Sequence, residues 1–373
     1  MDTVLSQIIE RVREAAAHHT PLRIRGGGSK DFHGGALLQG EVLDTRAYRG
    51  IVSYEPSELV VTARAGTPLA ELEALLAEQG QCLAFEPPHF GPGTTVGGMV
   101  AAGLSGPARA SMGAVRDFVL GVELVNGRAE HLIFGGQVMK NVAGYDVSRL
   151  MAGAWGTLGL LAQVSLKVLP VVPGEATLRF ECDQAEALQR LHAWGGRPLP
   201  LNASCWAQEA DGAGTLYVRL RGAVAAVEAA CKTMGGARQD NAAVAADWAA
   251  CRDQQLPWFG TQAQPGTLDL WRLSVPDTAP VLALPAGVAA PLIEWHGALR
   301  WVQAGRAHAQ ALHAAAAQVG GNATLFRAGS ADAASAAAVS DPMPAAQRRI
   351  HEQLARSFDP AGIFNPGRMA WQR

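Results

Sequence analysis

Glycine gathers in short clusters beside Ser, Thr and Lys, and these clusters constrain the chain more than any other feature. R-G-G-G-S-K spans Arg25–Lys30, G-P-G-T-T-V-G-G spans Gly91–Gly98, and G-A-W-G-T-L-G spans Gly153–Gly159. Glycine adopts φ > 0 and lets the backbone approach a ligand with no Cβ in the way. Successive exposed N–H groups in such turns form concavities that bind anions. Ordinary tight turns in a glycine-rich α+β protein are the simpler alternative. Three loops, each with hydroxyl or ammonium donors, favour a cradle for a large ligand carrying phosphates, such as a dinucleotide.

Two familiar phosphate motifs do not fit. Nothing matches the P-loop pattern G-x-x-x-x-G-K-[ST]. A dinucleotide-binding G-x-G-x-x-G must follow a strand, but Gly91, Gly93 and Gly97 are one residue too far apart, and the preceding F-E-P-P-H-F is a poor strand. A nicotinamide-type Rossmann domain is therefore not expected.

At 373 residues the chain exceeds the size at which one core usually splits, so two domains are expected. A composition 49% hydrophobic and 17% charged fits a globular protein. The formal net charge of −2, without a run of Lys or Arg, leaves no electrostatic footprint for nucleic acid. The five cysteines (Cys82, Cys182, Cys205, Cys231, Cys251) are scattered and odd in number, with no C-x-x-C. That spacing argues against a ferredoxin-type cluster, a disulfide framework or another metal site, and suits a reducing compartment. No signal pattern opens the chain and no apolar run reaches the roughly 18 residues that span a bilayer. A cytoplasmic protein is expected, with membrane association only through partners.

Periodicity marks the elements. Leu5, Ile8, Ile9 and Val12 predict an amphipathic first helix ending before Pro21, and Leu22–Arg25 a strand entering the first glycine loop. Ile51–Tyr54 and Leu59–Arg64 read as strands around E-P-S-E. A helix follows with Thr67 as N-cap, Pro68 in first position, a stripe of Leu69, Leu72, Leu75 and Leu76, and Gly80 as its stop. Met99–Gly103 is a short helix whose small side chains suit close approach of a phosphate. Phe118–Val125 and Ala129–Phe134 flank Asn126-Gly127, a hairpin signal. Leu160–Val168 is a further strand, and V-L-P-V-V-P to Pro173 is the best domain boundary.

Beyond it a β-α-β-β-α order appears over Thr177–Phe180, Gln184–Trp194, Asn202–Trp206, Leu216–Leu220 and Ala223–Met234, and a similar order returns in strands Leu268–Val275 and Leu292–Val302, helix Ala307–Val319 and strand Ala323–Phe326. The pattern predicts an antiparallel sheet with helices on one face. Gly329–Pro344 is an Ala/Ser-rich connector before a final helix over Pro344–Ser357.

Three ordered runs then carry a resemblance. P-G-T-T-V-G-G-M-V-A-A-G, S-M-G-A-V-R-D-F-V-L-G-V-E-L-V-N-G and K-N-V-A-G-Y-D-V-S-R-L-M-A-G-A-W-G-T-L-G resemble the vanillyl-alcohol-oxidase (PCMH) type of FAD-binding domain. Within that superfamily they are most similar to the FAD-binding subunits of bacterial glycolate oxidase, as is the closing F-N-P-G-R. The resemblance is dense over about Pro21–Val172 and only architectural in the middle. It implies an α+β chain with a two-part PCMH-type FAD-binding domain over residues 1–172. A smaller antiparallel cap with a ferredoxin-like pattern follows over 173–340, and a helix and tail over 341–373 return to the FAD domain.

The resemblance also implies residue roles. Gly26, Gly27, Gly28 and Ser29 give N–H groups to the FAD pyrophosphate, while Gly93, Thr94, Thr95, Gly97 and Gly98 run along pyrophosphate, ribityl chain and flavin. Gly103, Gly113 and Asp117 shape further turns of the pocket. Lys140, Gly144 and Tyr145 match the K-x-x-x-G-Y-D stretch; Gly156 and Leu158 lie against the adenosine end; Asn365 and Arg368 return to the flavin ring. Asp117 as a turn or cap residue and Lys140 as an exposed lysine are the plain alternatives. Some relatives hold flavin covalently through a first-loop His; here the nearest is His33, so non-covalent FAD is expected.

Relatives that oxidise 2-hydroxy acids place an Arg and an H-x-G-D-G-N-type motif over the flavin. That motif is absent, and E-W-H-G at Glu294–Gly297 is its nearest echo. Alternation over Leu292–Arg300 puts Glu294, His296 and Arg300 on one face and Ile293, Trp295, Leu299 and Trp301 on the other. Arg272 or Arg300 could bind a substrate carboxylate and His296 serve as base, with Arg219 contributing similarly. Solvated polar residues or subunit contacts are the plain alternative. The resemblance implies a glycolate-oxidising complex with a larger catalytic FAD subunit and an iron–sulfur subunit, glycolate becoming glyoxylate. A self-sufficient 2-hydroxy acid dehydrogenase and a non-catalytic FAD carrier stay open.

Overall fold

The computed structural model describes residues 2–33, 39–136, 145–208, 212–260, 268–329 and 343–369. Lys140, Gly144 and most of the 329–344 connector lie outside the described residues.

Helix α1 (Thr3–His18) begins where the Asp2 carboxylate accepts from the Val4 N–H at 2.9 Å. It buries Leu5, Ile8, Ile9, Val12 and Ala15 against a small two-stranded parallel sheet, β1 (Leu22–Arg25) and β2 (Glu41–Asp44). Ile363 and Phe364 of the C-terminal tail complete this core. The Leu22 N–H donates to the Ile363 carbonyl at 2.7 Å and the Asn365 N–H to the Leu22 carbonyl at 2.9 Å. The two chain ends are thus one unit.

A five-stranded antiparallel sheet follows, ordered β3 (Ile51–Glu55), β4 (Val60–Arg64), β8 (Leu160–Lys167), β6 (Val119–Val125) and β7 (His131–Gly135). Its helices are α2 (Leu69–Glu78), α3 (Val96–Ala102), α4 (Arg109–Met112), α5 (Val115–Phe118) and α6 (Val147–Met151), with β5 (Gln81–Cys82) pairing β9 (Leu169–Pro170). Leu69, Leu72 and Leu76 of α2 are fully buried, each stabilising by about 2 kcal/mol. Thr67 does not cap α2 as predicted. Pro68 occupies the cap position, and the Thr67 hydroxyl instead accepts from the Gly50 N–H at 2.9 Å. The β6–β7 turn forms at Asn126, whose side-chain oxygen accepts from the N–H groups of Arg128 and Glu130.

The second half forms the expected antiparallel sheet, eight-stranded and continuous through both units. Its order is β13 (Ala237–Gln239), β10 (Gly174–Glu181), β12 (Gly214–Gly222), β11 (Leu201–Gln208), β15 (Leu292–Glu294), β16 (Leu299–Ala304), β14 (Asp269–Ser274) and β17 (Asn322–Arg327). Helices α7 (Gln184–Gly195), α8 (Val224–Met234) and α11 (Ala309–Gln318) pack on its outer face. Helix α9 (Asn241–Arg252), absent from the sequence reading, takes the other face: its Val244, Trp248 and Cys251 meet Ala203, Cys205 and Leu292. The expectation of helices on one face is corrected accordingly. Ala102 and Leu104 of the first half join this same inner cluster, so α9 lies along the seam between the halves. A short α10 (Pro257–Gly260) follows it, and α12 (Ala345–Phe358) packs Leu354 and Phe358 on the first half.

The predicted strand Leu292–Val302 is broken. A 3-10 turn over Trp295–Gly297 separates β15 from β16, with Trp295 at φ 53° and His296 at φ 56°. Glu294 therefore pairs with Leu299, and Ile293 with Arg300.

Candidate functional site

The first two glycine loops meet at a cleft of about 890 Å³, solvent opening included. A Cβ on Gly27 would sit 1.5 Å from the Gly93 carbonyl oxygen, and one on Gly26 would sit 2.4 Å from the Thr95 hydroxyl. Gly28 turns at φ 72° beside the Arg25 guanidinium. Ser29 and Thr94 join the loops through their hydroxyls, 2.7 Å apart. Residues 26–30 line this cleft, and none of their N–H groups donates to an acceptor among the described residues. A run of unclaimed amides is the donor set an oxyanion group requires. By contrast, the Gly97 N–H donates to the Ala65 carbonyl and the Gly98 N–H to the Thr95 hydroxyl, so α3 spends its first amides internally.

The third loop and the tail close the cleft. Trp155 stacks on His33 with ring centroids 4.1 Å apart, and the Arg368 guanidinium lies 4.6 Å from the same ring. Arg368 also donates to the Lys30 carbonyl at 2.7 Å. Asn365 is committed on both sides of its amide: Oδ1 accepts from the Ile24 N–H and Nδ2 donates to the Trp155 carbonyl. Trp155, Asn365 and Phe90 hold φ of 53°, 43° and 53°. A side chain in that region costs about 1–3 kcal/mol, and such strain gathers where a site fixes geometry.

The expected cofactor residues separate cleanly. Gly26, Gly27, Gly28, Ser29, Thr95, Gly97, Gly98, Gly156, Asn365 and Arg368 line the cleft. Gly93 and Thr94 buttress the first loop from behind. Gly103 ends α3 at φ 64° against Gly153, away from the lining. Asp117 caps α5 by accepting from the Ala114 N–H, and Gly113 turns beside it; neither reaches the cleft. Leu158 is core, and Tyr145 is 94% exposed. Lys30 and Trp155 line the cleft without having been singled out, although Lys30 was legible in the R-G-G-G-S-K string.

A second pocket, about 360 Å³ with its opening, lies at the seam. Leu104 and Phe90 come from the first half; Arg272, Glu294, Leu299 and Trp301 come from the cap sheet. The Arg272 guanidinium lies over Trp295 at 5.0 Å, and burial lowers its pKa to about 10, with Arg109 adding repulsion. Glu294 is buried, and its Oε1 accepts from the Trp301 indole N–H at 2.8 Å. Burial raises the Glu294 pKa to about 7 despite the Trp301 bond and the Arg272 charge.

Two expected catalytic residues fall elsewhere. The pairing of Arg300 with Ile293 and Leu273 turns it to the outer face, where it donates to the carbonyls of Gly297 and Ala279. The four-residue hairpin connection reverses the parity that a continuous strand would have had, so Glu294 and Arg300 lie on opposite faces. His296 sits at the hairpin tip, Nε2 2.9 Å from the Ser111 hydroxyl, with its pKa lowered to about 4 by burial. It joins the halves and lines neither the cleft nor the seam pocket. Arg219 is committed to Glu86 and Asn202.

Residues 4–135 match a family described as an FAD binding domain. The chain is 46% identical to the glycolate oxidase subunit GlcE of Escherichia coli (strain K12), covering 97% of this chain and 96% of that one. Over 40% of its length it is 33% identical to a D-lactate dehydrogenase of Archaeoglobus fulgidus, covering 33% of that protein. Among solved structures, an alkyldihydroxyacetonephosphate synthase superposes with a TM-score of 0.66 at 14% identity, covering 98% of this chain and 76% of that one. That likeness is one of fold.

Proposed function

The chain belongs to the glycolate oxidase subunit GlcE family, and from that membership we propose that it carries FAD in the cleft as one subunit of a glycolate-oxidising complex. The unclaimed amides of residues 26–30 carry this reading, because a run of free backbone donors in a glycine loop suits pyrophosphate oxygens. Non-covalent binding is part of the proposal, since the first loop carries Ser29 and Lys30 where a covalent linkage would need a His. FAD, when bound, supplies the two-electron acceptor for oxidation of a hydroxy acid. Assembly with a larger catalytic FAD subunit and an iron–sulfur subunit is part of the proposal: the five cysteines lack ferredoxin spacing, so further electron relay is assigned to a partner. So is a cytoplasmic location with membrane contact made through partners; no described helix is long and apolar enough to cross a membrane.

The seam pocket favours substrate chemistry on this chain as well. Arg272 has the fork geometry that binds a small carboxylate in two contacts, and it pairs with no acid within hydrogen-bond reach among the described residues. Glu294, held by Trp301, is placed to take the hydroxyl proton of the same 2-hydroxy acid. The test is anaerobic addition of glycolate to the FAD-loaded chain. Bleaching of the oxidised flavin is expected, with Arg272→Met slowing it about 10- to 100-fold at subsaturating glycolate. Because the Glu294 carboxyl must be ionised to accept a proton, the rate should rise with pH through about 7, and Glu294→Gln should remove that limb. A stable yellow spectrum would place substrate oxidation in a partner subunit. No retained flavin would sink the FAD reading itself.

A further inference from the structure

Lys30 is 7% exposed, yet it reaches the cleft and forms no ion pair among the described residues. Among the described residues its ammonium has one hydrogen-bond acceptor, the Ser29 hydroxyl at 3.3 Å, and it lies 5.6 Å from the centre of the Phe90 ring. Burial lowers its pKa to about 8, and the more distant Asp253 offsets this only in part. A buried ammonium with donors to spare calls for an electron-rich partner.

Its position says which part of a bound dinucleotide that partner is. The phosphate end already has the amides of residues 26–30. Lys30 turns instead towards the seam: Phe90 beneath it also lines the Arg272–Glu294 pocket and packs on Phe326 of β17 at 6.3 Å. Asp253, the acid that attracts it, follows α9 and accepts from the His89 N–H at 2.8 Å. The end of the cleft nearest the candidate substrate pocket is the end where the redox-active ring must lie.

We propose that the Lys30 ammonium faces the flavin ring of bound FAD, where reduction adds negative charge, and so raises the ring's affinity for electrons. The proposal rests on the FAD reading above. A fixed cation at that position stabilises the reduced ring more than the oxidised one, and it equally favours addition of an anion such as sulfite to the ring.

The test uses the full chain loaded with FAD, measuring its midpoint potential by dye equilibration and its affinity for sulfite by loss of the oxidised flavin band. Lys30→Met is expected to shift the reduction equilibrium at least tenfold towards the oxidised form, about 30 mV for a two-electron couple. Sulfite should bind at least tenfold more weakly, and Lys30→Arg should recover most of both. FAD affinity should change less than either. If Lys30→Met weakens FAD binding while leaving the potential alone, the ammonium serves the phosphates and the proposal falls. An unchanged potential and sulfite affinity overturn it as well. Should the Met variant fail to fold, Lys30→Gln gives the same readouts with a polar, uncharged side chain. A wild-type chain that binds no flavin overturns the FAD reading, a failure seen before any variant is made.

Discussion

Gly27→Ala is expected to yield a folded chain that no longer retains FAD, with affinity lowered by about 100-fold. The added Cβ would sit 1.5 Å from the Gly93 carbonyl oxygen, and 2.2 and 2.8 Å from the carbonyl carbon and Cα behind it. All three are backbone atoms, so no rotamer change relieves the overlap, and the two loops must part. Forcing a methyl group into a packed contact costs about 1–3 kcal/mol, which is up to roughly 100-fold in an equilibrium constant. The loss falls on the cofactor because the parted loops are those that aim the amides of residues 26–30 and join Ser29 to Thr94. Gly305→Ala is the control: a Cβ there meets nothing within 4 Å. The ratio of flavin to protein after gel filtration, followed by titration with FAD, measures the effect. Full flavin retention by Gly27→Ala would show that the cradle does not depend on this approach.

Those loops were legible because their signals are local. A glycine string beside hydroxyl residues states its own geometry, and α1, the β6–β7 hairpin and strands β1, β3, β4 and β8 follow from spacing within a dozen residues, whereas the short β2, β5 and β9 carry too few residues to show a period. The fit of Asn365 and Arg368 to the cleft could not be read that way. It depends on the tail lying beside β1 some 340 residues earlier in the chain, and only the resemblance pointed to it. The cap failed for a different reason. The turn at Trp295–Gly297 puts Trp295, a bulky residue that rarely takes it, at positive φ together with His296, so alternation was carried through a hairpin that reverses it. Arg300 was thereby assigned to the inner face, and the true inner pair, Arg272 and Glu294, was divided between a candidate and a bystander. Helix α9 escaped because its Ala-rich run N-A-A-V-A-A-D-W-A-A-C-R has few large apolar residues to show a period, although Asp240 caps it by accepting from the Ala243 N–H.

Glu86→Ala is the second large effect expected, and it should separate the two sites. Glu86 belongs to the first half, at φ 48°, and its carboxylate accepts from Arg219 Nη2 at 2.6 and 2.7 Å and from Arg221 Nη1 at 2.9 Å, both on β12 of the cap. Arg219 is only 2% exposed and is further held by Asn202 and by the Trp248 ring at 4.8 Å. Removing one partner of a buried ion pair leaves the other charge uncompensated and typically costs about 3–5 kcal/mol. The lower end applies here, because Arg221 keeps Glu175 as a partner and is partly exposed. Alanine retains the positive φ, so the loss reads on the carboxylate rather than on relief of strain. Urea unfolding followed by tryptophan fluorescence should show a fall of about 3 kcal/mol, while Glu181→Ala, at an exposed pair with Arg179, should change it by less than about 0.5 kcal/mol. The cofactor cleft is built from the first half and the tail, whereas the seam pocket draws Arg272 and Glu294 from the cap and Phe90 and Leu104 from the first half. Loosening the cap should therefore impair glycolate-dependent bleaching far more than FAD retention. Equal loss of both would mean that the cap also holds the cradle shut, and an unchanged unfolding midpoint would mean that the seam does not depend on Glu86.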